Sequence, residues 1–501
     1  MGSFVPASQA AEILPAGTRL EVRLSMPTGS RISHPGDPIR ALVIAPVFRG
    51  GRLLIPQGAV VSGTIENVSR VGLGLKRLTS GIEYRFDTVR LAAGARIPID
   101  ARVAEVETAK ERVSADGKIG GISPTANLSS SVAFYSLPLV CLDPHLGAPI
   151  WAVKVLIARS PDPEIYFPAG TELVLRLTGE TDIPSTGVTP GAMAPLSEAD
   201  LGQADRILAK LPKQWTDRGG NHSSDWVNML FLGSRESIDR AFQAAGWAGA
   251  QRHSLMAVYR MYHCMVQRMG YRNAPMRRLT LNGATADAEY QKSLDTFSKR
   301  HHLRLWKQGQ EDAWLSAATE DVGYRVRGMH LTHGTDPLID NERAKVLNDL
   351  VLTGCVEAAT RMTRPSPEAV GQQKRSITTD GKIAIVRMND CHNPVTMPGE
   401  LNQGHNGRPR PAQALVALRN DLIRANPVSF TFNTIRRLGE HRDPRVNGFI
   451  SPSRSSAGVT GGWARPSVLD ATAAREKAGE NAYSTCDAGC GRGEGLDAIR
   501  P

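Results

Sequence analysis

Two polar segments of the sequence carry residue types that can do chemistry. The first, RHHLRLW at residues 300–306, has two adjacent histidines, and the second, THGTDPLIDNER at 332–343, adds a histidine, two aspartates and a glutamate. Imidazole nitrogens and carboxylate oxygens are the ligands of hydrolytic Zn and Mn sites. The spacing therefore raises the hypothesis of a metal or catalytic site built from both segments.

The alternation of residue types predicts that 300–306 is a β-strand whose two faces differ. His302 lies on one face with Arg304 and a tryptophan, whereas His301 lies on the other face with two leucines. We expect His301 to be a core histidine bonded to a backbone carbonyl. His302 is therefore the candidate ligand of the pair.

The metal hypothesis takes its ligands from both segments. If the strand packs against the second segment, His302, His333 and Asp336 supply the N and O ligands of a Zn or Mn site that leaves a position open for water. Asp321 or Glu342 is then the candidate general base.

Two arginines are candidates for binding an anion. Arg304 lies beside His302 on the predicted strand, and Arg343 lies at the end of the second segment. A guanidinium group can hold a carboxylate or phosphate through two parallel hydrogen bonds. Both residues are therefore expected to bind an anionic substrate if the site is catalytic.

The same residues also have a structural interpretation, which we favour. Asp340 would cap a helix, Asp336 would form an Asx turn before the following proline, and Glu342 and Arg343 would lie in the first helical turn. Arg304 would pair with a carboxylate across the domain. The sequence has no HExxH motif, glycine-rich phosphate loop or GxSxG elbow.

The composition indicates several domains. The chain has 501 residues, 41% of them apolar and only 5% aromatic, and 48 Gly and 32 Pro imply many turns. The net charge of +11 is spread along the chain without a long Lys/Arg block or a zinc-finger spacing. We therefore expect no nucleic-acid partner. No apolar run reaches the ~18 residues that span a bilayer, so no transmembrane segment is predicted in this chain.

Cysteine usage and the N-terminus bear on the compartment. The six cysteines are too few and too dispersed to predict a disulfide framework, and Cys486 and Cys490 fit a chance pair. Residues 1–12 place Ser8 and Ala10 as in an S-x-A cleavage site, so they are either a signal-peptide remnant or a short disordered start. The first interpretation predicts a periplasmic or envelope protein, and the second a cytoplasmic one.

Residues 13–180 predict an all-β barrel or sandwich, because short alternating runs are separated by Gly and Pro. A phrase recurs, LPAGTRL at 14–20 and FPAGTEL at 167–173, with a looser copy, IPQGA, at 55–59. Pro fixes φ and Gly permits a positive φ, so each copy predicts a tight turn that starts a strand. The two full copies are expected to bracket one closed domain.

This order of phrases, with HPGDPIRALV and EYRFDTV between the copies, resembles the TrbI-type C-terminal β-barrel of type IV secretion channel subunits of bacteria. The resemblance implies a periplasmic barrel that assembles with other envelope proteins. It carries over no catalytic residue. The printed sequence does not show the anchor and Pro-rich linker that such subunits have upstream, so we expect a generic envelope barrel of this shape rather than a subunit of a secretion core complex.

Residues 181–212 predict a linker that ends in a short amphipathic helix, and residues 213–363 mix strands and helices and predict an α+β domain. Within that domain, SRESIDRAFQAAGW predicts a helix capped by Ser234, and NERAKVLNDLVLTGCVEAA predicts a third helix. FLGSRESIDRAFQAAGW, AEYQKSLDTFSKRHHLRLW and LTHGTDPLIDNERAKVLNDL resemble the LssY-like C-terminal domain family. That family has no assigned reaction, and this chain has Gly334 where many relatives have a second histidine. Residues 364–501 are expected to be mostly irregular or disordered, apart from a strand at TDGKIAIVRMND.

Two functions follow from these expectations. The first is a bacterial cell-envelope protein that acts without catalysis, as an assembly or interaction protein whose partners are other envelope proteins. The alternative is a hydrolase that uses a divalent metal, Zn or Mn. Its phosphoester-type substrate is implied only by the lipid-phosphatase-like domains found joined to this family.

Overall fold

A computed structural model of the chain describes most of residues 12–425. The gaps are 51, 75–76, 92–93, 109, most of 123–142, 158–160, 184–193, 212–214, 218–222, 294–298, 328–329, 364–376 and 397–409, and the side chains of 324–333 are also not described. The expected signal remnant, the Cys486 and Cys490 pair and the rest of the C-terminal tail lie outside the described residues.

The first domain is a closed six-stranded antiparallel barrel. Strands β2, β4, β7, β8, β9 and β13 pair in that order, and β13 returns to β2. Its elements are β1 (Glu12–Leu14), β2 (Arg19–Leu24), β3 (Thr28–Gly29), β4 (Pro38–Val43), β5 (Val47–Arg49), β6 (Arg52–Ile55), β7 (Val60–Ser69), β8 (Gly81–Arg90), β9 (Arg96–Val106), β10 (Arg112–Val113), β11 (Lys118–Gly120), α1 (Gly147–Ile157), β12 (Tyr166–Phe167), β13 (Glu172–Leu177) and β14 (Thr181–Ile183). The predicted all-β domain is confirmed, and of the two predicted forms it is the barrel.

The recurring phrases form the predicted turns. Gly17, Gly58 and Gly170 have φ of 87°, 85° and 97°, and in each copy the amide three residues after the proline bonds to the proline carbonyl. The two full copies also join the ends of β2 and β13, because Gly17 N donates to Leu177 O and Gly170 N donates to Leu24 O, both at 2.8 Å. The repeated phrase therefore closes the barrel.

The second domain is a mixed sheet with helices on both faces. Its main sheet runs β18-β21-β22-β23-β17-β26-β25, and β24 pairs with β23. Its elements are α2 (Glu198–Ala209), β15 (Trp215–Asp217), β16 (Ser223–Trp226), β17 (Met229–Leu232), α3 (Arg235–Ala244), β18 (Ala248–Gly249), α4 (Leu255–Gln267), β19 (Thr280–Leu281), β20 (Ala284–Thr285), β21 (Ala288–Ser293), β22 (Lys299–Lys307), β23 (Ala313–Arg327), β24 (His330–Thr335), α5 (Ile339–Leu352), β25 (Val356–Thr363) and β26 (Lys382–Met388). One core layer contains α3 and α5, and the other contains α2.

Several predictions for this domain are confirmed. Helix α3 is capped by Ser234, whose side chain accepts a hydrogen bond from Ser237 N. The segment RHHLRLW lies in β22, and the amphipathic end of the predicted linker forms α2. Two details differ. The predicted third helix ends at Leu352, so that its last residues form β25, and the sheet continues past residue 363 because β26 pairs with both β17 and β25.

One disulfide, Cys355–Cys391, joins the start of β25 to the turn after β26. The cysteines are 36 residues apart in sequence, and the sequence alone did not indicate that they would meet. The pairing of β25 with β26 brings them together, since Asn389 N donates to Cys355 O.

A last helix, α6 (Arg410–Ala425), lies in the stretch that was predicted to be irregular. None of the described helices is long and apolar enough to cross a membrane.

Candidate functional site

Strand β22 places His301 and His302 on opposite faces of the sheet, as predicted. Both faces are covered, and His301 and His302 are 3% and 7% exposed. His301 shares its face with Leu303 and Leu305 of the core, as expected. Its partner differs from the prediction, however, because Nδ1 bonds to Oε2 of Glu342 at 2.7 Å rather than to a backbone carbonyl.

The second ring nitrogen of His301 faces the barrel. Nε2 lies 3.9 Å from Oε2 of Glu107, the residue that follows β9, and it has no hydrogen-bond partner. Burial lowers the pKa of His301, but the Glu342 carboxylate and then Glu107 oppose this and raise it to about 10. In the structure as it stands, His301 is therefore an imidazolium held between carboxylates of both domains.

Further carboxylates lie around the same point. Glu320 of β23 is the residue directly opposite His301, and burial together with Glu107 raises its pKa to about 8. On β2 of the barrel, burial raises the pKa of Glu21 to about 7 although Lys345 opposes the shift. Among the described residues, two sets of three side chains have ligand atoms that all lie within 4.8 Å of one another. One set is Glu107, Glu172 and His301, and the other is His301, Glu320 and Glu342.

Beside His301, five charged side chains form a cluster that we call the interdomain ion cluster. Arg23 and Glu172 come from the barrel, and Lys292, Lys345 and Asp349 come from the second domain. Four of the five are between 0% and 4% exposed, and the Lys345 side chain is 10% exposed. The cluster therefore forms a buried ionic contact between the two domains.

Each cation of the cluster contacts both carboxylates. Arg23 Nη2 lies 2.6 Å from Glu172 Oε1 and 2.7 Å from Asp349 Oδ1. Lys292 Nζ lies 2.7 Å from Glu172 and 3.1 Å from Asp349. Lys345 Nζ lies 2.9 Å from Glu172 Oε2 and 2.8 Å from Asp349. Such sharing compensates the desolvation of five charges, which unpaired groups could not do.

The pKa directions agree with this geometry. Burial raises the pKa of Glu172 and Asp349, but Lys292 and the other cations outweigh it, so that both pKa values lie below their usual range. Burial and then Arg23 lower the pKa of Lys292. Both carboxylates of the cluster are therefore ionised at neutral pH.

Local sequence explains how the cluster forms. Arg23 and Glu172 are directly opposite each other on β2 and β13, the strands that follow the two full turn phrases. On the helix, Lys345 and Asp349 are four residues apart and so share one face of α5. Asp349 also accepts a hydrogen bond from Trp247 Nε1 at 3.0 Å, which fixes its carboxylate in the core.

The other face of β22 holds a second polar group around His302. Its Nδ1 lies 3.7 Å from Asp321 Oδ2 and its Nε2 lies 3.9 Å from Asp225 Oδ2. Burial lowers the pKa of His302 to about 4 although Asp321 opposes the shift. His302 is therefore neutral at physiological pH, the form in which imidazole binds metals.

The other two predicted ligand residues, His333 and Asp336, lie in and just after β24, which pairs with β23 and not with the His302 strand β22. In the strand register, His302 is opposite Thr319 on one side of β23, and His333 is opposite Tyr324 on the other side. The His333 side chain lies outside the described residues. Asp336 accepts a hydrogen bond from Leu338 N at 3.0 Å, the predicted Asx turn. The three-ligand metal set stays a prediction.

The predicted anion-binding arginines are held by groups of the protein itself. Arg304 lies 2.9 Å from Asp225, as the structural interpretation expected, and it also donates to a backbone carbonyl. Arg343, the fifth residue of α5, donates to both oxygens of Asp380 at 2.9 and 2.8 Å. Their binding of an external anion stays a prediction.

Asp340 does not cap α5, contrary to the structural interpretation. The helix begins at Ile339, so Asp340 is its second residue, and the preceding Leu338 makes no side-chain cap. The Asp340 carboxylate instead accepts hydrogen bonds from Thr379 Oγ1 and Asp380 N at 2.8 and 2.6 Å. It ties the helix start to the loop before β26.

Sequence reasoning missed the interdomain ion cluster and Glu107. One signal was available, because Asp349 lies among the apolar positions of α5, beside Val346 and Leu350. A carboxylate on the apolar face of a helix indicates a buried partner. The partner itself, Arg23, is 326 residues away and has no local signature.

Comparison with known proteins supports the assignment of the second domain. The model of the family described as LssY C-terminus matches residues 208–383. No curated protein matches the chain. Among solved structures, ComB10 of the Com type IV secretion system of Helicobacter pylori is similar at 12% identity, over 34% of this chain and 89% of that chain. The TM-score of this match is 0.20.

Proposed function

We propose that the chain acts in the bacterial cell envelope as a non-enzymatic assembly or interaction protein, in which the barrel and the LssY-like domain work as one unit. The observation that carries this proposal is the interdomain ion cluster. Its charged residues are buried and paired with one another across the domain contact, so they favour one defined way for the two domains to meet.

The Cys355–Cys391 disulfide supports the envelope location. Disulfides form and persist in oxidising compartments such as the bacterial periplasm and are rare in the cytosol. The TrbI-like order of turn phrases supports a barrel that contacts other envelope proteins. The proposal thus combines a compartment, a two-domain unit and a class of partner.

Thiol trapping in fractionated cells of the source bacterium tests the proposal. We expect the chain to be in the periplasmic or membrane-associated fraction, with Cys355 and Cys391 labelled only after reduction. Cross-linking of the tagged full chain in the same cells should recover envelope proteins. A cytosolic chain in which both thiols react without reductant would contradict the proposal.

The second candidate is the metal-assisted hydrolase that uses His302, His333 and Asp336 on a phosphoester. The low pKa of His302, which keeps its imidazole neutral, supports it. Hydrolysis of p-nitrophenyl phosphate by the full chain with added Zn or Mn tests this candidate. Activity that His302→Ala and Asp336→Ala both abolish would support it, whereas a rate equal to the metal alone would end it.

A further inference from the structure

The contact between the domains holds a polar atom that the protein leaves without a hydrogen bond. His301 Nε2 is buried and has no hydrogen-bond partner among the described residues. Of the neighbouring Glu172 carboxylate, Oε1 accepts from Arg23, Lys292 and Lys345, and Oε2 lies 2.9 Å from Lys345 Nζ. Buried polar atoms are nearly always paired, so a buried imidazole nitrogen without a partner, beside the carboxylates of Glu107 and Glu172, indicates a ligand.

Glu107 completes this group. The ligand atoms of Glu107, Glu172 and His301 lie within 4.8 Å of one another. Atoms bound to a tetrahedral ion at about 2.0–2.2 Å are roughly 3.4 Å apart, so the ligand atoms would have to approach one another by up to roughly 1.4 Å for all three to coordinate. One nitrogen and two carboxylates form a ligand set that suits Zn and Mn.

We propose that His301 Nε2, Glu107 and Glu172 bind one divalent ion, Zn or Mn, which links the barrel to the second domain. Glu342 then acts as a positioning residue, because its bond to Nδ1 directs Nε2 towards the barrel. Metal-binding histidines commonly donate their other N–H to a carboxylate in this way. His301 would be neutral when the ion is bound.

The charges around His301 also suit a cation at this point. Against the effect of burial, the carboxylates of Glu342, Glu107 and Glu320 raise the pKa of His301 to about 10, so that its ring carries a positive charge. A divalent ion on Nε2 would replace that proton and leave a positive charge facing the same carboxylates.

Metal binding by the purified full chain tests the site. After treatment with a chelator and dialysis against Zn or Mn, we expect one ion per chain by elemental analysis. Glu107→Gln, which keeps the side-chain size, should weaken that binding by at least about tenfold. Glu105→Gln is the matched control, since this residue is 59% exposed near the end of the same strand and should bind as the unchanged chain does.

A second readout is thermal unfolding, which also shows that the variants fold. Added Zn should raise the Tm of the unchanged chain and of Glu105→Gln by the same amount, and that of Glu107→Gln by less, because an ion stabilises the folded state in proportion to how tightly it binds. These measurements do not depend on the compartment, so their failure is distinct from failure of the envelope proposal.

Three results would overturn the site. The first is the absence of a stoichiometric ion in the unchanged chain, and the second is Glu107→Gln binding as tightly as the unchanged chain. The third is loss of binding in Glu320→Gln or His302→Ala while Glu107→Gln retains it. That result would place the ion in the other carboxylate set or on the opposite face of β22.

Discussion

At the residue scale, burial and charge give the two adjacent histidines of β22 opposite properties. His301 faces carboxylates of both domains and has a raised pKa, whereas His302 faces a mixture of aspartates and arginines and has a lowered pKa. The alternation of the strand predicted that they would differ. It did not predict the partner of His301, because Glu342 lies 41 residues further along the chain.

Asp349 is the residue whose loss should cost most in the interdomain ion cluster. In Asp349→Asn, Arg23, Lys292 and Lys345 would face a single carboxylate in a buried contact. We expect the free energy of unfolding to fall by about 3 kcal/mol or more, as for other broken buried ion pairs. Urea denaturation measures this change.

Glu105→Gln is the control for that measurement. Glu105 pairs with Arg19, and both side chains are exposed, at 59% and 41%. Exposed ion pairs contribute roughly 0 to 1 kcal/mol, so the control should lose less than that. An equal loss in both variants would mean that the interdomain ion cluster is exposed to solvent.

Glu21 should make stability depend on pH. Its folded pKa is about 7 against an ordinary 4.5, so the folded chain binds the proton more tightly than the unfolded chain does. That contribution is fully present below pH 4.5 and is lost as pH rises through about 7.

Glu21→Gln removes this dependence. Because Glu21 is partly exposed, we expect the variant to gain about 1 kcal/mol relative to the unchanged chain between pH 4.5 and pH 8. Urea unfolding at both pH values measures the gain. A difference between the two proteins that stays constant with pH would contradict the prediction.

At the element scale, the sequence predicted turns and caps that depend on neighbouring residues, but not contacts between residues far apart in the chain. The turn phrases and the Ser234 cap were predicted, because each depends on residues within a few positions. Asp340 was predicted as a cap and instead bonds to Thr379, which lies 39 residues away. The third helix was predicted to run on to residue 359, but it ends at Leu352 and residues 356–359 begin β25. The prediction was wrong there because those residues pair with β26, whose place in the sheet the sequence does not show.

The first turn phrase should need glycine. Gly17 has φ of 87° and open space around its Cα, so an added methyl group meets no atom within 4 Å. Gly17→Ala should therefore cost about 1 to 2 kcal/mol through backbone strain alone. Thermal unfolding measures this cost. Gly179→Ala, also in open space but without a positive φ, should change stability much less.

The disulfide should stabilise the edge of the second sheet. It closes a loop of 36 residues, and removing it in Cys355→Ser with Cys391→Ser should cost about 3 kcal/mol. Cys264→Ser, at a free cysteine, should leave stability nearly unchanged. Denaturation with and without reductant should show a difference only where Cys355 and Cys391 are present.

At the scale of the whole molecule, the two domains meet through charge. Arg23 lies between Val22 and Leu24, whose side chains fill the barrel, and so points away from the barrel interior. It is nevertheless completely buried, because the second domain covers it. A cation on the outer face of a barrel strand would ordinarily be exposed, and the position of the second domain explains why Arg23 is not.

A polar contact of this kind makes domain docking sensitive to single charges. Gln57 adds to it by donating to Asn348 O at 2.7 Å from the barrel side. Buried ion pairs often specify an arrangement more than they stabilise it. We therefore expect one defined orientation of the two domains, as an assembly protein requires.

A double-mutant cycle between Arg23 and Asp349 tests this account most directly, since the two residues belong to different domains and lie 2.7 Å apart. Urea unfolding would be measured for Arg23→Met, Asp349→Asn, the double variant and the unchanged chain. The account predicts an interaction energy of about 1 to 3 kcal/mol. If the losses of unfolding free energy in the two single variants sum to the loss in the double variant within about 0.5 kcal/mol, the domains are not joined at this cluster.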